Sequence, residues 1–400
     1  MLKFIFYSPT EIIFGKDTEK ETGRLVRKHG GNRVFAIYGG GSAKRSGLLD
    51  RVKASLDAEG LEYEFMGGVQ PNPTVSTAQK MAEAAIAFKA DFILAVGGGS
   101  VIDTAKGVAH AVATPGTKIW DLWTKKVPLV KSTPIGVVLT ISAAGSELSD
   151  SSVLTNDEKV PPTKRGITTD LQRPRFAIMN PELTMTLPKY HIGAGAADIF
   201  MHTNERYFTN ILGNSMTDEI AEGLFRNIIK FGPIAVNDPT NYEAMSEVMW
   251  SSSVSHNGLT GLGAKGDTPR DGDWSTHQLG QAISALYNVT HGASLTAVWE
   301  AWSRYVMDAN YSRFARFANK VYGIDLADEK AAAEEGIKRT TEFFKSLGMP
   351  LSLTEILGHE PSDDEIIALA TECTYDRTRT IGCFKTLDFD DIVAIYKMAR

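Results

Sequence analysis

The sequence predicts an α/β domain with a parallel sheet over residues 1–184, followed by an all-helical domain over residues 185–400. Up to about residue 183, short runs rich in Val, Ile and Phe alternate with helical patterns, as in a parallel sheet covered on both faces. From Leu187 onward only long amphipathic patterns remain, which indicate helices. Pro181 and Pro188 stand at the change of pattern and favour a hinge there. A chain of 400 residues is long enough for two such domains.

The predicted elements follow the chain in order. The apolar stretches FIFY and EIIF at the amino terminus predict a β-hairpin around Ser8-Pro9-Thr10. The strands expected next are RVFAIY, EYEF, FILAV, IGVVLT and FAIM, with helices between them such as TVSTAQKMAEAAIAFKA and VIDTAKGVAHAVA. The helices expected in the second domain include KYHIGAGAADIFMHTNERYF, NSMTDEIAEGLFRNIIKFG, YEAMSEVMWSSSVSHNG and WSTHQLGQAISALYN. Because ligands of parallel sheets bind at the carboxyl ends of strands and between domains, we expect the functional site there.

Composition and charge narrow the class of protein. Hydrophobic residues make up 43% of the chain and charged residues 22%, as in ordinary globular proteins. The formal net charge of -6 argues against nucleic acid or an anionic membrane surface as the main partner. The amino terminus lacks the pattern of a signal peptide, and no apolar run approaches the ~20 residues of a membrane span. We therefore expect a cytoplasmic protein whose two cysteines, Cys373 and Cys383, are inert thiols.

The segment Gly97–Ser100 reads Gly-Gly-Gly-Ser between the predicted strand FILAV and a predicted helix. Glycines allow main-chain N–H groups to approach a phosphate closely, and the helix dipole favours an anion at the amino terminus of a helix. A tight turn without a ligand needs only one or two glycines. Three glycines and a serine in this context therefore favour an anion-binding site.

A second Gly-Gly-Gly-Ser turn, Gly39–Ser42, ends the predicted strand RVFAIY. Dinucleotide-binding folds usually place a carboxylate near such a strand end, where it binds the ribose hydroxyls of the adenosine. Here Ser42, Lys44 and Arg45 take its place, which leaves room and positive charge for a 2′-phosphate. The two cations are equally consistent with ordinary solvated side chains. Neither turn has the GxGxxG pattern, so the plain Rossmann fingerprint is absent.

Four residues of the helical half form a candidate metal-binding set. Asp198 and His202 lie four residues apart in a predicted helix and therefore on one face of it. His277 and His291 flank another predicted helical stretch. One carboxylate and three imidazoles suit Zn(II) or Fe(II) and leave a coordination position open, although an Asp-xxx-His pair also fits a helix-surface hydrogen bond. The other histidines that composition makes eligible are His110, His191 and His256, whereas His29 and His359 look like surface residues.

Seven segments spread over the whole chain resemble one known family. They are SPTEIIFGK, YGGGSAKRSG, VQPNP, LAVGGGSVIDTAKG, LTISAAGSE, GAADIFMHT and DWSTHQLGQAISALYNVTHG. The sequence resembles the iron-containing (group III) alcohol dehydrogenases, in particular their butanol dehydrogenase and broad aldehyde reductase branch. The second glycine turn, the Asp-xxx-His helix and two histidines fourteen residues apart make this resemblance specific.

The resemblance implies roles for individual residues and a reaction. The residues implied as catalytic metal ligands are Asp198, His202, His277 and His291. The residues implied in binding the cofactor, NADP(H) in preference to NAD(H), are Gly39, Gly40, Gly41, Ser42, Gly98, Gly99, Ser100, Asp103, Thr140 and Lys164. The implied reaction is hydride transfer between this cofactor and primary alcohols or aldehydes, mainly in the direction of aldehyde reduction, with Fe(II) or Zn(II) as the metal. A cytoplasmic homodimer acting on a small-molecule substrate is expected.

Three departures from the family pattern bear on activity. Ala144 in the loop AAGSE stands where the family has a hydroxyl that usually faces the cofactor. Gln281 stands where a histidine near the nicotinamide is common, so one titratable group is lost. The loop over residues 261–274 is longer than its usual counterpart and precedes His277. We expect this loop to influence substrate specificity.

Three other functions fit parts of the pattern. An NAD-dependent diol dehydrogenase of the glycerol or lactaldehyde type would favour an acid in place of Gly41 or Ser42, and neither position has one. A lyase of the dehydroquinate synthase type shares the architecture and a metal but has a different pattern of ligands. A metabolite-binding protein without catalysis would be expected to lose a metal ligand, and all four are present. The sequence therefore favours the aldehyde reductase.

Overall fold

The computed structural model describes residues 3–264 and 272–400. These residues form two compact units, Tyr7–Leu187 and Pro188–Arg400, and the few described residues before Tyr7 belong to the second unit. The predicted domain limits of 1–184 and 185–400 stay a prediction. Among the described helices, none is both long and apolar enough to cross a membrane.

All strands of the described residues lie in the first unit. They are β1 (Glu11–Phe14), β2 (Arg33–Tyr38), β3 (Glu62–Met66), β4 (Phe92–Gly97), β5 (Ile135–Leu139), β6 (Ser151–Asn156), β7 (Thr163–Thr168) and β8 (Phe176–Met179). The helices of this unit are α1 (Thr22–Lys28), α2 (Ser42–Arg45), α3 (Leu48–Ala58), α4 (Val75–Ala87), α5 (Gly99–Ala113) and α6 (Ile119–Trp123).

The second unit is helical throughout its described residues, as its amphipathic patterns predicted. Its helices are α7 (Lys189–Tyr207), α8 (Ser215–Asn237), α9 (Tyr242–His256), α10 (Ser275–Tyr287), α11 (His291–Val306), α12 (Tyr311–Tyr322), α13 (Glu329–Ser346), α14 (Leu353–Leu357), α15 (Asp363–Cys373) and α16 (Phe389–Met398). The helix α7 packs against α8, α9, α10 and α11, which places it at the centre of this unit.

Six strands form one parallel sheet in the order β1-β8-β5-β4-β2-β3, and this confirms the predicted fold class. Val34 and Ala36 of β2 pack in one core with residues of α1 and α3, while Phe35 and Ile37 of the same strand are also fully buried. Successive side chains of a strand point to opposite faces, so both faces of the sheet are covered. The strands β2 and β4 are neighbours, and the two glycine turns that follow them therefore lie at the same edge of the sheet.

The predicted hairpin at the amino terminus is wrong. The described residues before Glu11 form no strand, and β1 pairs in parallel with β8. The Glu11 amide donates a hydrogen bond to the Arg175 carbonyl at 3.0 Å, so β1 takes the edge position of the larger sheet. An isolated two-stranded hairpin is marginal in water, whereas β1 gains the hydrogen bonds of the larger sheet and packs Ile13 against its core. The segment before it is left exposed, with Ile5 at 88% of its full accessibility.

A second difference concerns an antiparallel pair that the sequence did not reveal. β6 and β7 pair from Ser151 opposite Thr168 to Asn156 opposite Thr163. Both strands are rich in Ser, Thr and charged residues, so they lack the apolar runs that indicated the other strands. This pair carries Lys164, one of the implied cofactor residues.

The two cysteines are free thiols, as predicted. Cys373 is buried at the end of α15, and burial raises the pKa of its thiol to about 12. Cys383 is half-buried. A thiol needs its thiolate form to react, so Cys373 is unreactive near neutral pH.

Candidate metal centre and cofactor turns

The helix α7 positions two of the four predicted metal ligands. Asp198 and His202 are four residues apart, which places both side chains on one face of the helix, and they are only 3% and 4% exposed. The His202 Nδ1 atom lies 3.0 Å from the main-chain oxygen of Asp198 and 3.3 Å from its Oδ1 atom. The two side chains are thus held together by the helix itself.

The other two predicted ligands, His277 and His291, lie in the first turns of α10 and α11. The Nε2 atom of each imidazole lies 3.7 Å from Asp198 Oδ1, so this oxygen is the common point of the set. One ligand atom each of Asp198, His202 and His277 lies within 4.8 Å of the other two. The side chain of His291 is 28% exposed, against 4% for His277. The structure therefore brings all four residues together, with His291 at the rim.

These residues fit a divalent cation by the chemistry of their donor atoms. Asp198 Oδ1 and His277 Nε2 are buried, and neither atom has a hydrogen-bond partner among the described residues. Such buried polar atoms are costly unless something binds them. Carboxylate and imidazole donors suit Fe(II) or Zn(II), so a bound ion would complete the site.

The charges around the set affect its imidazoles differently. Burial, together with the neighbouring His256 and His277, holds the pKa of His202 well below its usual value. Burial also opposes charge on His277, but the carboxylates of Asp198 and Glu205 outweigh it and raise its pKa to about 9. The site is therefore a buried, electrostatically coupled cluster.

The sequence analysis missed Glu205, a buried residue one turn beyond His202. Glu205 Oε1 lies 2.8 Å from His277 Nδ1 and accepts hydrogen bonds from the His277 amide at 2.8 Å and from the Thr276 hydroxyl. With Nδ1 donating to this carboxylate, His277 keeps Nε2 free to bind a metal, the usual arrangement for metal-binding histidines. Because Glu205 follows Asp198 by seven residues, it lies on the same helical face, and this spacing could have identified it.

Arg206, His256 and Trp274 lie beside the predicted metal ligands. The sequence analysis did not connect these three residues with the ligand set. The rings of His202 and His256 lie 4.2 Å apart between centroids, and Arg206 Nη2 donates to His256 Nδ1 at 3.0 Å. Trp274 lies 5.3 Å from the His277 ring. Three other histidines had been considered as possible metal ligands. Among the contacts of the described residues, only His256 of these three lies next to the four predicted ligands.

The remaining histidines lie elsewhere. His110 is buried in the first unit, 3.3 Å from Gln172 Oε1 through its Nε2 atom. His191 is exposed on α7. His29 is 22% exposed beside Glu11, and His359 is 51% exposed beside Glu365. These four have structural or surface positions.

The turn Gly97–Ser100 joins β4 to the 15-residue helix α5. Gly98 is the N-cap residue, and no side chain caps the helix there. A Cβ atom at Gly98 would lie 2.8 Å from Ile141 Cβ, and one at Gly99 would lie 3.4 Å from Ala144 Cβ. The turn thus packs against the loop that carries Ala144 and leaves main-chain N–H groups at the helix terminus available for an anion.

The other implied cofactor residues are distributed around this turn. The Thr140 amide donates to the Gly97 carbonyl at 3.1 Å, which places Thr140 beside the turn. The Asp103 carboxylate accepts hydrogen bonds from the Ser146 hydroxyl at 2.7 Å and the Val153 amide at 2.8 Å. Asp103 is therefore already engaged in tying α5 to β6. Burial raises the pKa of its carboxyl.

Lys164 is 6% exposed and donates to Asn72 Oδ1 at 2.8 Å. A fully buried lysine nearby, Lys106, donates to the Ser146 hydroxyl and to three main-chain oxygens between residues 146 and 151. Burial lowers the pKa of Lys106 to about 8. This lysine was not predicted, and it fixes the loop next to Ala144.

In the turn Gly39–Ser42 the first glycine is half-buried and the other three residues are exposed, and the short helix α2 begins at the serine. A side chain at Gly41 would collide with the guanidinium of Arg45, whereas Gly40 has nothing within 4 Å of such an atom. Arg45 thus reaches back over the turn.

Gln281 is half-buried one turn after His277, and of the long loop only residues 261–264 and 272–274 are described.

The sequence matches two family models that together span most of the chain. Residues 9–181 match the iron-containing alcohol dehydrogenases, and residues 193–400 match the C-terminal part of the Fe-containing alcohol dehydrogenase family. A parallel-sheet unit with two glycine turns and a helical unit with an Asp-His₃ set are the two parts of such an oxidoreductase. The chain belongs to the iron-containing alcohol dehydrogenase family, whose members act on alcohols and aldehydes.

Several relatives are similar over nearly the whole chain. The chain is 37% identical to NADH-dependent butanol dehydrogenase A of Clostridium acetobutylicum over 400 residues, 99% of each protein. It is 33% identical to the NADPH-dependent aldehyde reductase YqhD of Escherichia coli over 357 residues, 89% of each. The crystal structure of NADH-dependent butanol dehydrogenase A from Thermotoga maritima matches with a TM-score of 0.93 at 34% identity, covering 100% of this chain and 99% of that one. The protein is therefore an NAD(P)-dependent, iron-type alcohol dehydrogenase.

Proposed function

We propose that this alcohol dehydrogenase works mainly as an aldehyde reductase that prefers NADPH and holds one Fe(II) or Zn(II) ion per chain. The observation that carries the proposal is the buried oxygen of Asp198, to which His277 and His291 each present Nε2 at 3.7 Å. Together with His202 these residues would be the metal ligands. The net reaction is aldehyde, NADPH and a proton giving primary alcohol and NADP⁺.

The chain's own residues prepare both reactants. When bound, the ion would supply Lewis-acid polarisation of a carbonyl, and the nicotinamide a hydride. Asp198 and His202 stand on one rigid helix, which keeps the ligand geometry fixed. The glycines and serine of Gly97–Ser100 offer main-chain N–H groups for the pyrophosphate. Gln281, where the family pattern has a histidine, does not titrate, so it cannot relay a proton.

The test of this function is turnover measured by the absorbance of reduced cofactor after metal analysis of the preparation. We expect medium-chain and aromatic aldehydes to be reduced near pH 7, with larger specificity constants than those for oxidation of the matching alcohols. The reason is that aldehyde and reduced cofactor react favourably away from alkaline pH. Comparable specificity constants in the two directions at pH 7 would contradict the proposal.

The preference for NADPH rests on the turn Gly39–Ser42. No carboxylate ends β2, Ser42 can donate a hydrogen bond, and the nearby cations Lys44 and Arg45 are exposed, so each can contact a 2′-phosphate. Partly exposed contacts of this kind contribute on the order of 1 kcal/mol each, so two give a preference of roughly tenfold or greater. The relatives carry both NADH and NADPH in their names, so the preference has to be measured on this chain.

Replacing Gly41 with Asp tests the assignment of the turn. The new carboxylate would lie beside the phosphate and disfavour NADPH specifically, so the preference should reverse and the ratio of specificity constants for NADPH and NADH should fall below one. The control Lys80→Gln removes an exposed positive charge from α4 and should leave the ratio unchanged. An unchanged ratio in Gly41→Asp would show that this turn does not reach the adenosine ribose.

We also propose that the enzyme is a cytoplasmic homodimer. The exposed apolar side chains of Phe4, Ile5 and Phe6, at 43%, 88% and 45% of full accessibility, support association through this segment, because exposed apolar patches commonly mark interfaces. Light scattering coupled to gel filtration should give twice the chain mass of 43.6 kDa. A monomeric mass at micromolar concentration would exclude the dimer.

A further inference from the structure

Trp274 has an unusual backbone conformation three residues before His277. It is the N-cap residue of α10, with φ of 64° and ψ of 9°. Side chains as large as indole rarely adopt this left-handed region, and such strain persists only where the surroundings enforce it. Strained residues of this kind cluster at ligand-binding sites. The position of Trp274 beside the metal ligands therefore calls for a functional explanation.

The guanidinium of Arg206 supports the indole from one side. Its Cζ atom lies 4.7 Å from the centroid of the Trp274 ring, within the range of a cation–π contact. Arg206 Nη1 donates to the main-chain oxygens of His202 at 3.0 Å and Ser255 at 3.1 Å, and Nη2 donates to His256 Nδ1 at 3.0 Å. Three fixed acceptors orient the guanidinium, so the indole rests on a rigid support.

Three imidazoles lie in edge-to-face arrangements with the indole of Trp274. Its ring centroid lies 5.3 Å from that of His277, 5.9 Å from that of His256 and 6.1 Å from that of His202. All three imidazoles are buried, whereas Trp274 is half-buried. Part of an apolar aromatic surface is thus accessible directly beside the proposed metal ligands.

We propose that the accessible surface of Trp274 is a wall of the substrate site and selects aldehydes with an aromatic group over polyhydroxylated ones. The proposal rests on the aldehyde reductase function above. An indole offers dispersion and stacking to a planar apolar group, but its carbon surface cannot replace the water that a hydroxyl group loses on binding. Trp274 is then the specificity-determining residue, and Arg206 is the positioning residue that holds it.

The experiment compares binding of benzyl alcohol and 1,2-propanediol to metal-loaded enzyme saturated with NADPH. Reduced cofactor cannot accept a hydride, so calorimetry measures binding without turnover. Trp274→Ala should weaken benzyl alcohol binding about fivefold to tenfold and change 1,2-propanediol binding less than twofold. Trp274→Phe keeps an aromatic ring and should retain benzyl alcohol binding within about threefold. The control Trp250→Ala removes a 44% exposed tryptophan of α9 and should change neither affinity.

Several results would overturn the assignment. They are unchanged benzyl alcohol binding in Trp274→Ala, equal losses for the two alcohols, and no measurable benzyl alcohol binding to the unmodified enzyme. Should Trp274→Ala fail to fold, Trp274→Leu replaces it, since Leu keeps apolar bulk without a ring and should lose affinity that Trp274→Phe retains. Absence of aldehyde-dependent NADPH oxidation by the unmodified enzyme would refute the proposed function separately, whatever the alcohol affinities.

Discussion

Replacing Glu205 with Leu should weaken divalent metal binding although Glu205 itself is not a ligand. Its carboxylate accepts from His277 Nδ1 and from the His277 amide, both at 2.8 Å, and from the Thr276 hydroxyl. All three contacts are to the first turn of α10, whose N-cap residue Trp274 provides no side-chain cap. Glu205 thus caps α10 from another helix and fixes the tautomer and orientation of His277 at the same time.

The size of the effect follows from these contacts. Loss of the partner of a metal-binding histidine costs about 10- to 100-fold in metal affinity, which corresponds to about 1.4–2.7 kcal/mol. The lost hydrogen bonds of the His277 amide and the Thr276 hydroxyl cost about 1–3 kcal/mol each, but removal of a buried charge offsets part of this. The net change in unfolding free energy is therefore a poor readout, and metal affinity is the better one. Glu205→Gln can still accept from Nδ1 and should lose less affinity than Glu205→Leu.

The assay is titration of the metal-free protein with Zn(II) against a competing chelator. Glu222→Leu is a matched control, because Glu222 is equally buried and accepts from the Tyr207 hydroxyl at 2.9 Å and from Arg316 Nε at 2.7 Å, away from the ligand set. This control should lower the melting temperature without changing the Zn(II) affinity. A Glu205→Leu protein that binds Zn(II) as tightly as the unmodified protein would refute the role given to this carboxylate.

Two further predictions concern the ligands themselves. His277→Ala should lose both bound metal and turnover while the first unit still binds NADPH, measured by elemental analysis and by cofactor fluorescence; full metal content would remove His277 from the set. Gly292→Ala should also lower metal affinity, because its side chain would clash with the main-chain oxygen of Ala194 in α7 and displace the adjacent His291, at a cost of about 1–3 kcal/mol in stability. The control Gly223→Ala, whose new atom has only a flexible arginine end within 4 Å, should leave the metal affinity unchanged without lowering stability, because Ala favours a helix more than Gly does. Unaltered Zn(II) affinity in Gly292→Ala would disprove the close packing.

The parts of the fold that could be predicted are those whose buried positions produce a recognisable pattern of apolar residues in the sequence. β4 is buried at every position, and its continuous apolar run followed by glycines indicated both the strand and the turn. The amino-terminal FIFY is likewise apolar but exposed, because none of the described strands pairs with it. The strands β6 and β7 could not be predicted for the opposite reason. They pair through main-chain hydrogen bonds although most of their residues are polar. Composition alone therefore identifies neither an apolar segment that stays exposed nor a polar segment that forms a strand.

The candidate site shows the same division between local and distant information. Asp198 and His202 were recognisable because a helix brings residues four apart together. Their meeting with His291, which lies 89 positions after His202 in the chain, had to come from family resemblance. Arg206 and Trp274 are 68 positions apart, and their stacking at 4.7 Å depends on how α7 and α10 pack. No spacing rule relates such residues, so this part of the site required the structure.

The organisation of α7 explains why so many parts of the site depend on one element. His202 follows Asp198 by four residues, and Glu205 and Arg206 follow His202 by three and four residues. One stripe of this helix therefore carries two proposed ligands and the two residues that contact His277 and Trp274. The opposite side is fixed by apolar contacts, with the Phe200 ring 4.6 Å from that of Phe225 on α8. Any rotation or shift of α7 would therefore move the ligands and their supports together. Other helices contribute single histidines, and polar contacts with α7 orient them, so the geometry of the proposed ligand set is determined mainly by how this one helix is packed.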